Sequence, residues 1–215
     1  MVIELSKENS ILNQFIAELR NVNVQKDSMR FRRNLERIGE IFAYEISKKL
    51  EWKPIAVTTP LGTAQTVALG QQPLLITILR AGLPLHQGLL NVFDKAENGF
   101  ISAYRKHLTD QKFEIILQYS ACPDVNGKVV VLSDPMLASG HSIIACYESI
   151  LKQGKPAHIH IAAVIGSKAG VEYVRKSLPD NVTIWLGAID PELNDHSYIV
   201  PGLGDAGDLA FGVKL

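Results

Sequence analysis

Apolar residues recur with helical spacing along the first fifty positions. Ile11, Phe15, Ile16 and Leu19 fall on one face, and Phe31, Leu35, Ile38, Phe42 and Ile46 then repeat every three or four residues. Arg32, Arg33, Glu36, Arg37 and Glu40 lie between the members of the second set. The pattern predicts two amphipathic helices within about 8–50, separated by the polar stretch 21–27. Arg30, Arg32, Arg33 and Arg37 form a basic cluster, but Glu36 and Glu40 interleave with it and Phe31 belongs to the apolar stripe. A solvated charged face accounts for this better than a nucleic-acid patch.

Farther along, the period changes. Residues 55–67 are rich in Val, Thr and Ala around Pro60 and Gly62, which predicts short strands joined by a turn. Residues 73–79 and 128–132 are nearly unbroken apolar runs, the mark of strands buried on both faces of a parallel sheet. Further strands are predicted at 100–104, 158–165 and 182–186, an arm of a hairpin at 113–119, and helices at 83–93, 140–153 and 169–176. Strands alternating with helices predict an α/β fold, a mostly parallel twisted sheet with helices on both faces, plus a small β-rich arm or hood and the N-terminal helices. No repeat, low-complexity tract or linker divides the chain, so residues 1–215 read as one domain. Sites in such sheets lie at the carboxyl ends of strands. That directs attention to the positions after Leu79, Tyr104, Leu132 and Ala188.

Composition narrows the classes. A chain of 215 residues buries roughly 70% of its unfolded surface and needs no disulfide or metal staple. The formal net charge is zero, which supplies no general attraction to nucleic acid or to an anionic membrane. Cys122 and Cys146 match no CxxC or zinc spacing and read as reduced thiols. Glu4, Lys7 and Glu8 interrupt the N-terminus, so no signal peptide is expected there, and no apolar run approaches the ~20 residues of a membrane span. The expected location is cytoplasmic.

The most informative stretch is 129–142. An apolar strand leads to Asp134, then through Pro135, Met136, Leu137 and Ala138 to Ser139, Gly140, His141 and Ser142, where a helix begins. The unpaired N–H groups of a helix start carry partial positive charge and suit a phosphate. Gly140 permits close approach and the serine hydroxyls add donors. Asp134 would repel a phosphate and suits sugar hydroxyls or a metal. A plain strand–turn–helix with a serine N-cap is the competing reading. No Walker pattern is present, because no lysine follows Gly140.

Residues 134–142 resemble the phosphoribosyl-diphosphate (PRPP) loop of the uracil phosphoribosyltransferases, a type I phosphoribosyltransferase family. The likeness extends to Ile78-Leu-Arg-Ala-Gly82, Tyr104-Arg105, Arg30-Phe-Arg32, Tyr44-Glu45 and the segment 198–208, and so covers about 30–212. The resemblance implies transfer of a phosphoribosyl group from PRPP to uracil, giving UMP and diphosphate in pyrimidine salvage. It implies that Asp134 holds the ribose hydroxyls and that residues 135–142 wrap the 5′-phosphate. Arg80 and Arg105 would meet the diphosphate, with Mg2+ carried on that group and Asp205 a candidate ligand. Ile199, Gly204, Asp205 and Ala206 would line the pyrimidine side, within a base-binding segment at about 190–212. A homodimer or higher homo-oligomer and activation by GTP are also implied. On this reading Arg80, Arg105, Asp134 and Asp205 carry the chemistry.

The sequence departs from the family at several places. Serine replaces threonine at Ser139, and His141 replaces glycine, with its ring expected to point outward. Leu209-Ala210 follows Asp208 where a basic residue is usual, and Ile165-Gly-Ser-Lys168 replaces a small-Pro-Glu-Gly run. Transfer to another base, or a PRPP-binding regulator without turnover, are the competing functions. Gly202, Gly204 and Gly207 spell G-x-G-x-x-G, but no acid follows about 20 residues on, so a dinucleotide site is rejected. His158 and His160 share a strand face without an evident third zinc ligand. No general base stands out. The polar run 106–112 is expected to form a lid.

Overall fold

The computed structural model describes residues 1–109 and 112–214, without the side chains of residues 104–115. Strands β1 (Val2–Glu4), β4 (Leu74–Leu79), β5 (Asn98–Thr109), β6 (Lys112–Ala121), β7 (Val129–Ser133), β8 (Met136–Leu137), β9 (His158–Ser167) and β10 (Val182–Asp190) form one sheet. Its order is β1-β10-β9-β7-β4-β5-β6, with β8 added beside β9. Every neighbouring pair is parallel except β5–β6, the hairpin at one edge. Outside this sheet, β2 (Trp52–Thr59) and β3 (Gly62–Leu69) make a separate antiparallel ribbon.

The unbroken apolar runs are explained by two cores, one on each face of the sheet. Along β4 and β7, Leu75 and Val131 point to one face, while Leu74, Ile76, Val130 and Leu132 point to the other. Leu75 and Val131 join the helices α1 (Ile11–Arg20), α2 (Ser28–Ser47) and α3 (Gly82–Val92). The other set joins Ile143, Cys146 and Ile150 of α4 (His141–Leu151) and Val171 and Val174 of α5 (Lys168–Ser177). Alternate residues of one strand are therefore buried on opposite sides, and no polar position is left to reveal the two-residue period. Helix α1 starts at Ser10, whose hydroxyl accepts from Leu12 N–H, and α2 starts at Asp27, whose carboxylate accepts from Arg30 N–H at 3.0 Å. Among the described residues no helix is long and apolar enough to cross a membrane.

The structure departs from the sequence expectations in four places. The first residues are a strand, β1, paired with β10 through Val2–Ile184; three residues are too few to show a period. The predicted strands at 55–67 are two full eight-residue arms, exposed along almost their whole length. Residues 136–137, read as loop, add β8 beside β9 through Met136–Ile165 and Leu137–Gly166. The glycine-rich C-terminal segment contains a two-strand pair, β11 (Glu192–Leu193) with β12 (Ile199–Val200), and a short helix, α6 (Ala206–Phe211).

Candidate active site

The loops after β4 and β7 leave adjacent strands at the carboxyl edge of the sheet. They are tied at their roots: the Thr77 hydroxyl donates to the Ser133 carbonyl at 3.1 Å, and the Ser133 hydroxyl donates to the Ile76 carbonyl at 3.3 Å. Arg80 and Asp134 therefore project from neighbouring strand ends. The Leu79–Arg80 peptide is cis. Arg105 lies within β5, which pairs with β4 as far as Leu79–Ser102 and then runs on beyond it as an arm of the β5–β6 hairpin. Its side chain lies outside the described residues. Of the lid expected over 106–112, residues 106–109 belong to β5, Lys112 opens β6, and 110–111 lie outside the described residues.

The 134–142 loop is shaped from both ends. The Asp134 carboxylate accepts from Met136 N–H at 3.2 Å, closing an Asx turn. Leu137 is fully buried among Ile143, Val171 and Val174, so its side chain serves the core rather than a ligand. The Pro135 carbonyl accepts from Ile165 N–H at 3.0 Å. The Ala138 carbonyl accepts from the Ser167 hydroxyl at 2.6 Å. What remains for a ligand are backbone N–H groups and the hydroxyls of Ser139 and Ser142. Helix α4 begins after Gly140, which takes φ +83° and offers no side-chain cap, so the serine N-cap of the competing reading is absent and the first N–H groups keep their donor capacity. A left-handed residue is needed to turn the chain into the helix, and glycine adopts it without cost.

Helix α5 walls this loop. Ser167 caps α5 by accepting from Gly170 N–H at 2.9 Å while donating to Ala138. A methyl group on Gly170 would lie 1.9 Å from the Ala138 carbonyl oxygen, so helix and loop are as close as a glycine allows. His141 is exposed at the start of α4; its Nδ1 lies 3.0 Å from the Ser139 hydroxyl and its ring stacks on Tyr173 of α5 at 4.8 Å.

The C-terminal segment closes the other side of the edge. Ile199, Leu203, Ala206 and Ala210 are buried in the α1–α2 core, so Ile199 and Ala206 have backbone, not side chain, to offer a ligand. Gly204 is exposed at φ +95°. Asp205 Oδ1 caps α6 by accepting from Asp208 N–H at 3.0 Å, and Oδ2 lies 3.4 Å from Lys214 Nζ. Arg80 reaches across to this segment: one guanidinium nitrogen is 3.2 Å from Asp208 and 3.3 Å from the Gly212 carbonyl. Arg80, Asp205 and Asp208 are thus brought together.

Arg20, Gln25 and Asp190, which the sequence reading passed over, hold this segment together with Arg32 of the basic cluster. Arg20 forms a paired contact with Asp190 at 2.7 and 2.8 Å, and also donates to the Gly202 carbonyl at 3.0 Å. Asp190, 5% exposed, accepts in turn from Gly202 N–H at 2.9 Å. Gln25 donates to the Leu203 carbonyl at 3.1 Å and Arg32 to the Ala210 carbonyl at 2.6 Å. Behind them, Glu18 accepts from Arg30 and Asn34, and those donors hold its carboxyl down to about 2. The basic cluster of α2 is therefore partly structural. G-x-G-x-x-G here runs from the two-residue β12, outside the main sheet, into six-residue α6, which is no dinucleotide unit.

The histidine pair is also accounted for. His160 accepts from the Trp185 indole N–H at 3.1 Å, and burial pushes it down to about 3. His158 Nε2 lies 3.0 Å from the Thr183 hydroxyl. Among the described residues no group of three or more His, Cys, Asp or Glu is arranged to hold a metal. An ion at this edge would have to bring most of its ligands with it, as a substrate diphosphate does, with the outward oxygen of Asp205 in reach of a supporting role.

Comparison with known proteins decides the family. The model of the family described as uracil phosphoribosyltransferase matches residues 6–213. The chain belongs to the uracil phosphoribosyltransferase family. Uracil phosphoribosyltransferases of Porphyromonas gingivalis are 55% identical over 214 residues, covering 100% of this chain and 99% of theirs. One from Methanothermobacter thermautotrophicus is 37% identical over 207 residues, covering 95% of this chain and 93% of its own. A solved structure of an Aquifex aeolicus protein superposes with TM-score 0.88 at 30% identity, over 100% of both chains. A Staphylococcus aureus hypoxanthine phosphoribosyltransferase shares the fold, with TM-score 0.53 at 13% identity, covering 86% of this chain and 83% of its own. The uracil phosphoribosyltransferase family model spans both rims of the edge, the 134–142 loop and the C-terminal segment.

Proposed function

We propose that this chain is a uracil phosphoribosyltransferase that converts uracil and PRPP to UMP and diphosphate, in the salvage of pyrimidines. The observation that carries this reading is family membership over 6–213 together with the two rims that face each other across Arg80. The 5′-phosphate is assigned to the N–H groups and hydroxyls at the start of α4, the ribose hydroxyls to Asp134, and the diphosphate to Arg80 and Arg105. Uracil is assigned to the backbone around Ile199, Gly204 and Ala206. Flat backbone edges suit its carbonyls and N3–H, and cytosine would set a donor against a donor.

The uracil nitrogen displaces diphosphate from the anomeric carbon, and negative charge gathers on the leaving group. Arg80 supplies a preorganised cation there, which costs no reorganisation at the moment of reaction. In the free protein its charge is balanced by Asp208, so binding PRPP exchanges a carboxylate partner for the diphosphate. Catalysis rests on alignment and electrostatics. Mg2+ is the cofactor of this reading; Asp205 would help to hold it against the diphosphate, where it would supply further neutralisation.

Residues 1–215 act as one domain on this reading, and the setting is cytoplasmic, in keeping with two free cysteines. The β2–β3 ribbon supports a homo-oligomer. Trp52, Ile55, Val57, Leu61 and Val67 are all exposed on it, and an isolated two-stranded ribbon is marginal in water without a partner.

The test is diphosphate release from PRPP and Mg2+ with uracil, cytosine, hypoxanthine or no base, with and without GTP. Release with uracil alone is the expected result, and faster release with GTP would add the activator. Tight PRPP binding with no release from any base would replace the transferase with a regulator.

A further inference from the structure

We infer that His141 and Tyr173 position the Ser139 hydroxyl toward the 5′-phosphate, an aid to PRPP binding built from α5 as well as from the loop. The inference rests on the phosphate being bound at the start of α4. Three observations carry it. The His141 ring is stacked on Tyr173, with centroids 4.8 Å apart and planes 28° from parallel. Its Nδ1 lies 3.0 Å from the Ser139 hydroxyl oxygen. The loop between them cannot drift from α5, because Ser167 holds the Ala138 carbonyl at 2.6 Å and Gly170 leaves no free space against it.

A serine hydroxyl has one hydrogen and rotates freely. To help bind a phosphate it must donate that hydrogen outward. With Nδ1 protonated, His141 donates to Ser139 Oγ, and the only useful direction left for the hydroxyl hydrogen is toward the phosphate. With Nδ1 bare, the imidazole takes the hydroxyl hydrogen and Ser139 presents lone pairs to an anion. Phosphate binding therefore selects the form with hydrogen on Nδ1, in a chain from imidazole to hydroxyl to phosphate oxygen. The Tyr173 stack fixes the ring plane so that Nδ1 faces Ser139 rather than solvent. Both His141 and Tyr173 act through Ser139, and neither is assigned a contact with the reacting atoms.

The experiment is steady-state kinetics on His141→Ala, His141→Asn and Tyr173→Ala, each varied in PRPP and in uracil. His141→Ala is expected to raise KM for PRPP about fivefold, the worth of one ordinary hydrogen bond, without a matching rise in KM for uracil. Asn carries an N–H donor at the position of Nδ1, so His141→Asn is expected to recover most of that loss. Tyr173→Ala is expected to move KM for PRPP in the same direction, less than additively with His141→Ala. As a second readout, 15N shifts of His141 with ribose 5-phosphate bound are expected to show Nδ1 protonated. An unchanged KM for PRPP in His141→Ala, in a protein whose unsubstituted form turns over, overturns this inference and leaves the function standing. So does a bare Nδ1 in the complex. An unsubstituted protein that neither binds PRPP nor turns over overturns both.

Discussion

The 134–142 loop and the C-terminal segment at 190–212 face each other across Arg80, yet they are held by different means. The loop is held by its neighbours in the sheet: β8 pairs with β9, and the β9–α5 junction grips Ala138 through Ser167. The C-terminal segment is held from the far end of the chain, with Arg20, Gln25 and Arg32 reaching its carbonyls and Asp190. One rim is a by-product of building the sheet. The other exists only if two N-terminal helices dock. The two should therefore fail separately, and separate failure is the way to break the comparison.

The largest expected effect is at the Arg20–Asp190 pair. Arg20→Ala leaves a carboxylate that is 5% exposed without its partner. Breaking a buried pair costs about 3 kcal/mol, or roughly 6–12 °C in Tm for a chain of this size. Because both partners also touch Gly202, KM for uracil should rise more than KM for PRPP. Replacing both, as Arg20→Met with Asp190→Leu, should recover much of the stability and little of the uracil affinity. Thermal melts and two-substrate kinetics check both statements; a wild-type Tm in Arg20→Ala would show that this pair does not anchor the segment.

Gly170→Ala probes the opposite rim. The new methyl would sit 1.9 Å from the Ala138 carbonyl oxygen, and neither backbone has room to yield. Overpacking of this kind costs about 2 kcal/mol, and the kinetic loss should now fall on PRPP. Ser167→Ala removes the donor to Ala138 and the cap of α5 together, for about 1 kcal/mol, with the same bias toward PRPP at smaller amplitude. Equal loss of both substrates in either variant would mean that the rims are one unit.

The same contrast explains what could be read from the chain beforehand. The parallel sheet and the position of the 134–142 loop follow from local pattern: an apolar run, an acid, small residues, then helical spacing. Gly140 and Ser139 sit where that pattern places them. The pairs Arg20–Asp190, Gln25–Leu203 and Arg32–Ala210 join positions more than 160 residues apart. A lone arginine on an amphipathic helix looks the same whether it faces water or a buried aspartate. Ser167 and Tyr173 were hidden for a related reason: residues 165–168 depart from the family pattern, and only the packing of α5 on Ala138 shows what the serine does there. The freestanding β2–β3 ribbon was legible as strands, since Val, Thr and Ala favour extended backbone, but its exposure on both faces was not.

The smallest effect tests the far end of the N-terminal brace. Arg30 and Asn34 lower the Glu18 carboxyl from 4.5 to about 2. A carboxylate depressed in the fold adds stability that is complete above its unfolded value and is lost as pH falls toward its folded one. Glu18 should therefore contribute fully above about 4.5 and lose that contribution between there and about 2. His160 moves stability in the same direction over an overlapping range, because burial holds it neutral down to about 3 against an ordinary 6.5. The unsubstituted protein should lose stability from about 6.5 downward through His160 and, below about 4.5, through Glu18 as well, and the Glu18 share is the difference from Glu18→Gln. That variant should be less stable at neutral pH, where the Arg30 contact loses its charge, and should show a shallower decline in Tm below about 4.5. If the two curves stay parallel down to pH 3, the Arg30–Glu18 contact adds nothing to the docking of α1 on α2, and the brace on the C-terminal segment rests on Arg20, Gln25 and Arg32 alone.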